Sequence, residues 1–163
     1  MIDILDRISG VIAKVLTGLA GLFLVAMMVL ACTNMVTRAV FSAPIQGTYE
    51  LMGFFGAVVA AFSLAFAQRN KAHVAVGILL ARFPAPIRRT GDVLANAISC
   101  AFFVIAGLET WKWAGFLVQT GEVSETLQIV YHPFVFAAAA GCFALAFVLA
   151  VDTLKTLTAK KVA

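Results

Sequence analysis

The chain has 163 residues, of which 63% are hydrophobic and 12% charged, against about 25% charged in an ordinary soluble domain. That composition excludes a water-soluble globular protein and points to an integral membrane protein. The net charge of +4 suits contact with an anionic membrane leaflet and gives no reason to expect a nucleic-acid partner.

The charges are clumped, and the gaps between them locate the spans. No charge falls between Lys14 and Arg38, between Glu50 and Arg69, between Asp92 and Glu109, or between Glu125 and Asp152. A spanning helix needs about 20 mostly apolar residues. The third gap is short, but Trp111 and Trp113 can form its interfacial end. The pattern predicts an all-α protein with four transmembrane helices near 15–37, 51–68, 93–111 and 127–151, forming a single membrane domain over 1–163.

Residues 1–14 place Ile2, Leu5, Ile8 and Ile12 at helical spacing, with Asp3, Asp6 and Arg7 off that stripe. They read either as an amphipathic lead-in at the inner surface or as a helical extension of the first span. The apolar run that follows is too long for a cleaved signal, and Asp3 and Asp6 dilute the basic region a signal would need. Val29-Leu30-Ala31-Cys32 only loosely resembles a lipoprotein cleavage box, because Leu30 stands where that box prefers a smaller residue.

Gly18 and Gly21 mark the first span. The second carries Gly53, Ala57, Ala61 and Ala65 at four-residue intervals, with Gly56 and Ala60 beside them. The fourth carries Ala137, Gly141 and Ala144. Small residues so spaced allow close helix approach, within the chain or against a partner. Between the first two spans lies a turn with Pro44 and Gly47. Arg38 and Glu50 flank it and are expected to pair across it; the alternative is that each snorkels independently to the headgroups.

After the second span, Arg69 and Lys71 run into His73, and an apolar run from Val74 to Ala81 is closed by Arg82, Pro84 and Pro86. This run cannot cross a bilayer. It predicts a short interfacial helix near 74–83, with Val76 and Ile78 in the acyl region and Arg69, Lys71, Arg82, Arg88 and Arg89 at the headgroups. Further on, Glu109 and Lys112 are three apart and can pair on one face. If the N-terminus is cytoplasmic, ten of the twelve Lys and Arg residues lie inside. The positive-inside tendency therefore predicts that both termini are cytoplasmic.

Nothing in the pattern points to catalysis. No ionisable relay stands out at mid-bilayer depth, where a charge costs about 2.5–3.5 kcal/mol. The first span lacks the embedded glutamate of small multidrug exporters. Cys32, Cys100 and Cys142 fall in three different spans without metal-ligand spacing and read as packed thiols. His73 and His132 belong to opposite sides of the bilayer, too far apart to ligate one haem. No phosphate loop, zinc pattern or nucleophile elbow is present. The residues thus suggest no catalytic, cofactor-binding or metal site.

The ordered set of Arg38, the proline turn, Glu50-Leu51, the Gly- and Ala-rich second span, and Arg69-Asn70-Lys71-Ala72-His73-Val74 resembles the small membrane subunit of tripartite ATP-independent periplasmic (TRAP) transporters, the DctQ type. The resemblance covers the chain in length and helix count. The last third departs from the family: Val130 follows Ile129 where an Ile-Pro pair is common, and Ala139-Ala140-Gly141 replaces a Pro-Leu-Gly-like step. His132-Pro133 can supply the missing turn.

The resemblance implies a scaffold role in a bacterial or archaeal inner membrane. A large polytopic membrane subunit would move an organic acid coupled to sodium, with Na+ bound on that subunit. A periplasmic substrate-binding protein would deliver the acid. Arg38, Glu50, Arg69, Lys71, His73, Val74, Val76, Ile78 and Arg82 are the candidate structural or partner-contact residues. The competing reading is a four-helix subunit of a respiratory or redox complex, which would require haem or a quinone pocket; a free-standing carrier would require uptake by this chain alone.

Overall fold

The computed structural model describes residues 2–70 and 85–158. The interfacial helix expected at 74–83, and with it Lys71, His73, Val74, Val76, Ile78 and Arg82, lies outside the described residues. Those that are described form four helices: α1 (Ile2–Phe41), α2 (Thr48–Arg69), α3 (Ala85–Thr120) and α4 (His132–Thr158). Each has a stretch long and apolar enough to cross a membrane.

Two helices exceed what a bilayer requires. α1 has 40 residues and α3 has 36, about 60 and 54 Å at 1.5 Å per residue, whereas the hydrocarbon core is about 30 Å thick. Residues 2–14 therefore continue the first span as helix. α3 likewise passes Trp111 without a break, because the Lys112 ammonium meets Glu109 at 2.7 Å on an exposed face and neither charge obstructs the helix.

Local chemistry sets the ends. α1 stops where Ser42 turns left-handed at φ 53° and Pro44 disfavours helix at the residue before it. Gly47, at φ 73°, precedes α2. α3 ends on Gly121 at φ 65°, whose N–H donates to the Leu117 carbonyl at 3.1 Å, a left-handed glycine cap. The fourth helix starts at His132, later than the 127 expected from hydropathy. Residues 121–131 fold instead as a loop with one antiparallel bridge between Val123 and Val130, and Pro133 enters α4 at its first turn, where its missing N–H is harmless.

α4 is the central element. It packs against α1, α2 and α3, while α3 packs against α4 alone among the described helices. The result is a row that is closed on one side, where α1, α2 and α4 meet, and open on the other. Two apolar clusters fill the closed side. Ala20, Val58, Ala61 and Phe62 gather Leu16, Phe23 and Phe134 around them. Ala13, Ala65 and Val148 form the second with Ala144. On the open side, Trp111 stacks edge-on against Phe136 with ring centres 4.8 Å apart.

The smallest residues set the closest approach. A methyl added at Gly141 would fall 2.7 Å from Ala61 Cβ and 2.8 Å from the Ala61 backbone. In lipid, tails solvate an apolar side chain as well as a neighbouring helix does, so close packing replaces hydrophobic burial as the source of association. Gly141→Ala should therefore destabilise the purified chain by about 1–3 kcal/mol, the usual cost of overpacking, seen as a lowered thermal midpoint in detergent. Gly53→Ala, whose added methyl meets nothing within 4 Å, should not lower it. Equal behaviour of the two variants would show that the α2–α4 contact does not control stability.

Candidate functional site

Polar side chains cluster at the two ends of the helices. In an alternating chain the start of α1, the end of α2 and the end of α4 share one end of the structure, and Asp6, Arg69 and Lys155 meet there. Arg69 Nη1 donates to Asp6 Oδ1 at 3.1 Å, to the Asp6 carbonyl at 3.1 Å and to Ser9 Oγ at 2.6 Å. Lys155 Nζ approaches the same Asp6 oxygen at 2.5 Å. Ser9 is fully buried and donates to the Asp6 carbonyl at 2.9 Å. One carboxylate thus ties three helices. Gly10 makes room for the guanidinium, since a methyl there would lie 3.2 Å from Arg69 Nη2.

At the opposite end, Glu50 holds the α3–α4 loop. Its Oε1 accepts from the Thr126 backbone N–H at 2.7 Å and its Oε2 from that of Leu127 at 3.1 Å. Leu127 packs directly on Gly47, where no side chain would fit. Tyr131 stacks on Phe54, with ring centres 5.4 Å apart and planes 3° from parallel. Desolvation, aided by the nearby Glu122 carboxylate, raises the Tyr131 phenol above its ordinary range, so the ring stays neutral at any physiological pH.

The pairing expected between Arg38 and Glu50 does not form: both Glu50 oxygens serve the loop, and Arg38 is exposed at the end of α1 without an ion pair among the described residues. Two backbone N–H groups arrive in fixed geometry, and they hold the carboxylate without requiring a long arginine side chain to be immobilised. Arg69, a candidate partner contact from the sequence, is engaged in helix-to-helix contacts with Asp6 and Ser9. Sequence reasoning missed Asp6, Ser9 and Lys155. The available signal was parity: in an up-and-down chain, an acid before the first span and bases after the second and fourth must share one end.

These groups fasten helices together; they do not converge on a reacting centre. Among the described residues, no three or more His, Cys, Asp or Glu side chains are placed to hold a metal ion. The large outward surfaces are apolar. Leu22, Val25, Val29 and Val36 are exposed on α1, and Leu94, Ile98, Ile105 and Leu108 on α3. A groove of about 460 Å³ runs between α1 and α2, lined by Leu22, Val25, Val29, Leu51 and Phe55 among others. On α2, Gly53, Ala57 and Ala60 are exposed, while Ala61 and Ala65 are buried inside the chain.

A family model described as tripartite ATP-independent periplasmic transporters, DctQ component, matches residues 27–159. The matched stretch includes Glu50, Arg69 and Lys155 and begins after Asp6. No curated protein and no solved structure matches the chain.

Asp6→Asn removes the charge that both cations share. It should cost about 1–2 kcal/mol, between an exposed ion pair and a charged hydrogen bond, read as a lower thermal midpoint of the purified chain. An unchanged midpoint would mean the three-way contact contributes nothing to stability. Glu50→Gln leaves one amide oxygen for two backbone donors. Amide hydrogen exchange at Thr126 or Leu127 should quicken severalfold, as expected for losing about 1 kcal/mol of protection, while exchange in the middle of α4 stays unchanged.

Proposed function

The chain belongs to the DctQ component family of tripartite ATP-independent periplasmic transporters, and on that premise we propose that it is the scaffold subunit of such a transporter. It is a multi-pass membrane protein and a transporter component, and the family implies association with the other TRAP components. In the proposed role it stabilises the large, sodium-coupled membrane subunit and helps dock the periplasmic binding protein during uptake of an organic acid. Any sodium ion would bind on the large subunit. The distribution of Lys and Arg supports cytoplasmic termini, and the family supports a prokaryotic inner membrane.

The observation that carries the reading is the unfilled small-residue row on α2. Gly53, Ala57 and Ala60 are exposed, and a methyl at Gly53 meets no neighbour within 4 Å. Their spacing, i, i+4 and i+7, places them on one face. Inside the chain the same kind of spacing brings α2 against α4 at Ala61 and Gly141. A second such row, left open on the face of α2 turned away from Leu51, Phe55 and the apolar groove, supports a partner helix seated there. Asp6, Arg69, Lys155 and Glu50 also support a scaffold over a carrier, because they fasten helices and a loop to one another at the two ends.

Gly53→Trp discriminates a protein partner from lipid. Fluid lipid accommodates an added indole, whereas a close-packed partner helix does not. With the transporter genes expressed together, this variant should recover at least about fivefold less of the large polytopic subunit in a mild-detergent pull-down, and sodium-driven uptake with the matching binding protein should fall with it. Full recovery and full uptake would place the partner elsewhere. Recovery of haem-containing subunits would overturn the transporter reading.

A further inference from the structure

We propose that the cavity between the first turns of α1 and the last turn of α2 binds the phosphate headgroup of an anionic phospholipid. The cavity has a volume of about 480 Å³, and Arg7, Lys14, Arg69 and Asn70 supply its polar wall. Arg7 and Lys14 are seven residues apart, so they lie on one face of α1 about 10 Å apart along its axis. Gly10, between them, lets the Arg69 guanidinium approach α1 closely from α2.

The charge balance favours an anion. Asp6, the acid lining the cavity, is already held by Arg69 and Lys155. Neither Arg7 nor Lys14 takes part in the Asp6 contacts with Arg69 and Lys155. Of the charged residues that line the cavity, Arg7, Lys14 and Arg69 are positive and Asp6 is negative. A phosphate between Arg7 and Lys14 would offset the excess with charge-assisted hydrogen bonds.

The position favours a lipid over a free ion. The cavity adjoins the charge-free run that begins after Lys14, where the helix enters the hydrocarbon and headgroups gather. Val11 and Phe66 line it as well, and acyl chains can continue from them along α1. The site stands apart from the scaffold role: it requires membrane insertion and no partner subunit.

Native mass spectrometry of the full chain, released from mild detergent, tests the site directly. The probes are palmitoyl-oleoyl phosphatidylglycerol, phosphatidylcholine with the same tails, and inorganic phosphate. Retention of phosphatidylglycerol over phosphatidylcholine is expected. Arg7→Gln and Lys14→Gln should each weaken it about fivefold, Lys14→Arg should preserve it, and Lys112→Gln, at the far end, should not alter it. Equal retention of the two lipids, or unchanged selectivity in the Arg7→Gln/Lys14→Gln double variant, would overturn the proposal. So would equal loss in Lys14→Arg and Lys14→Gln, because the site would then not depend on charge. Displacement of phosphatidylglycerol by millimolar inorganic phosphate would reassign the cavity to a free anion and overturn the lipid site.

Discussion

The Asp6 carboxylate lies 3.1 Å from Arg69 and 2.5 Å from Lys155, and that shared anion sets how three helices meet. Each helix is apolar enough to be stable in lipid alone, so nothing in hydropathy fixes its axial position against its neighbours. A carboxylate near the start of α1, reached by the end of α2 and the end of α4, does fix it. At the far end Glu50 performs the matching task on the α3–α4 loop, through two backbone N–H groups. Between the two ends the packing is made by small residues, with Ala61 against Gly141 as the closest approach. The polar contacts define register and the small residues define distance.

This construction leaves half of the protein unclosed. α4 is enclosed by its neighbours, but α1 and α3 turn most of their apolar surface outward, and α3 touches only α4. A self-contained carrier needs a polar path through its middle; here Asp6 and Glu50 make their contacts at the two ends of the structure. The proposed scaffold role calls for outward apolar faces, and α1 and α3 carry them. Membership of the DctQ family agrees with this physical picture, although Asp6 lies outside the matched stretch and its contacts emerge only from the folded arrangement.

The helices themselves were legible in the sequence because charge-free runs are a direct consequence of the cost of burying charge in lipid. The small-residue rows were legible too: Ala61, Ala65 and Gly141 pack inside the chain, as their spacing suggested. The helix limits were less so. Hydropathy does not distinguish an apolar loop from an apolar helix, so Leu127 to Tyr131 read as helix while Gly121, Ser124 and Pro133 were shaping a loop. The Glu50 contact was not legible, because its partners are backbone groups 76 and 77 residues away, and backbone donors leave no mark in a residue pattern. Asp6 was visible as a charge yet not as a link, since its role depends on which helix ends coincide.

The most direct test of the account is site-specific photo-crosslinking from Ala57 in native membranes, with Ala61 as the internal control. The account predicts that a photoreactive residue at Ala57 captures one large polytopic protein, while the same probe at Ala61, buried against Gly141, captures nothing outside the chain. Capture of lipid alone from Ala57, or of a second copy of this chain, would contradict the view that the open face of α2 is built for the large subunit.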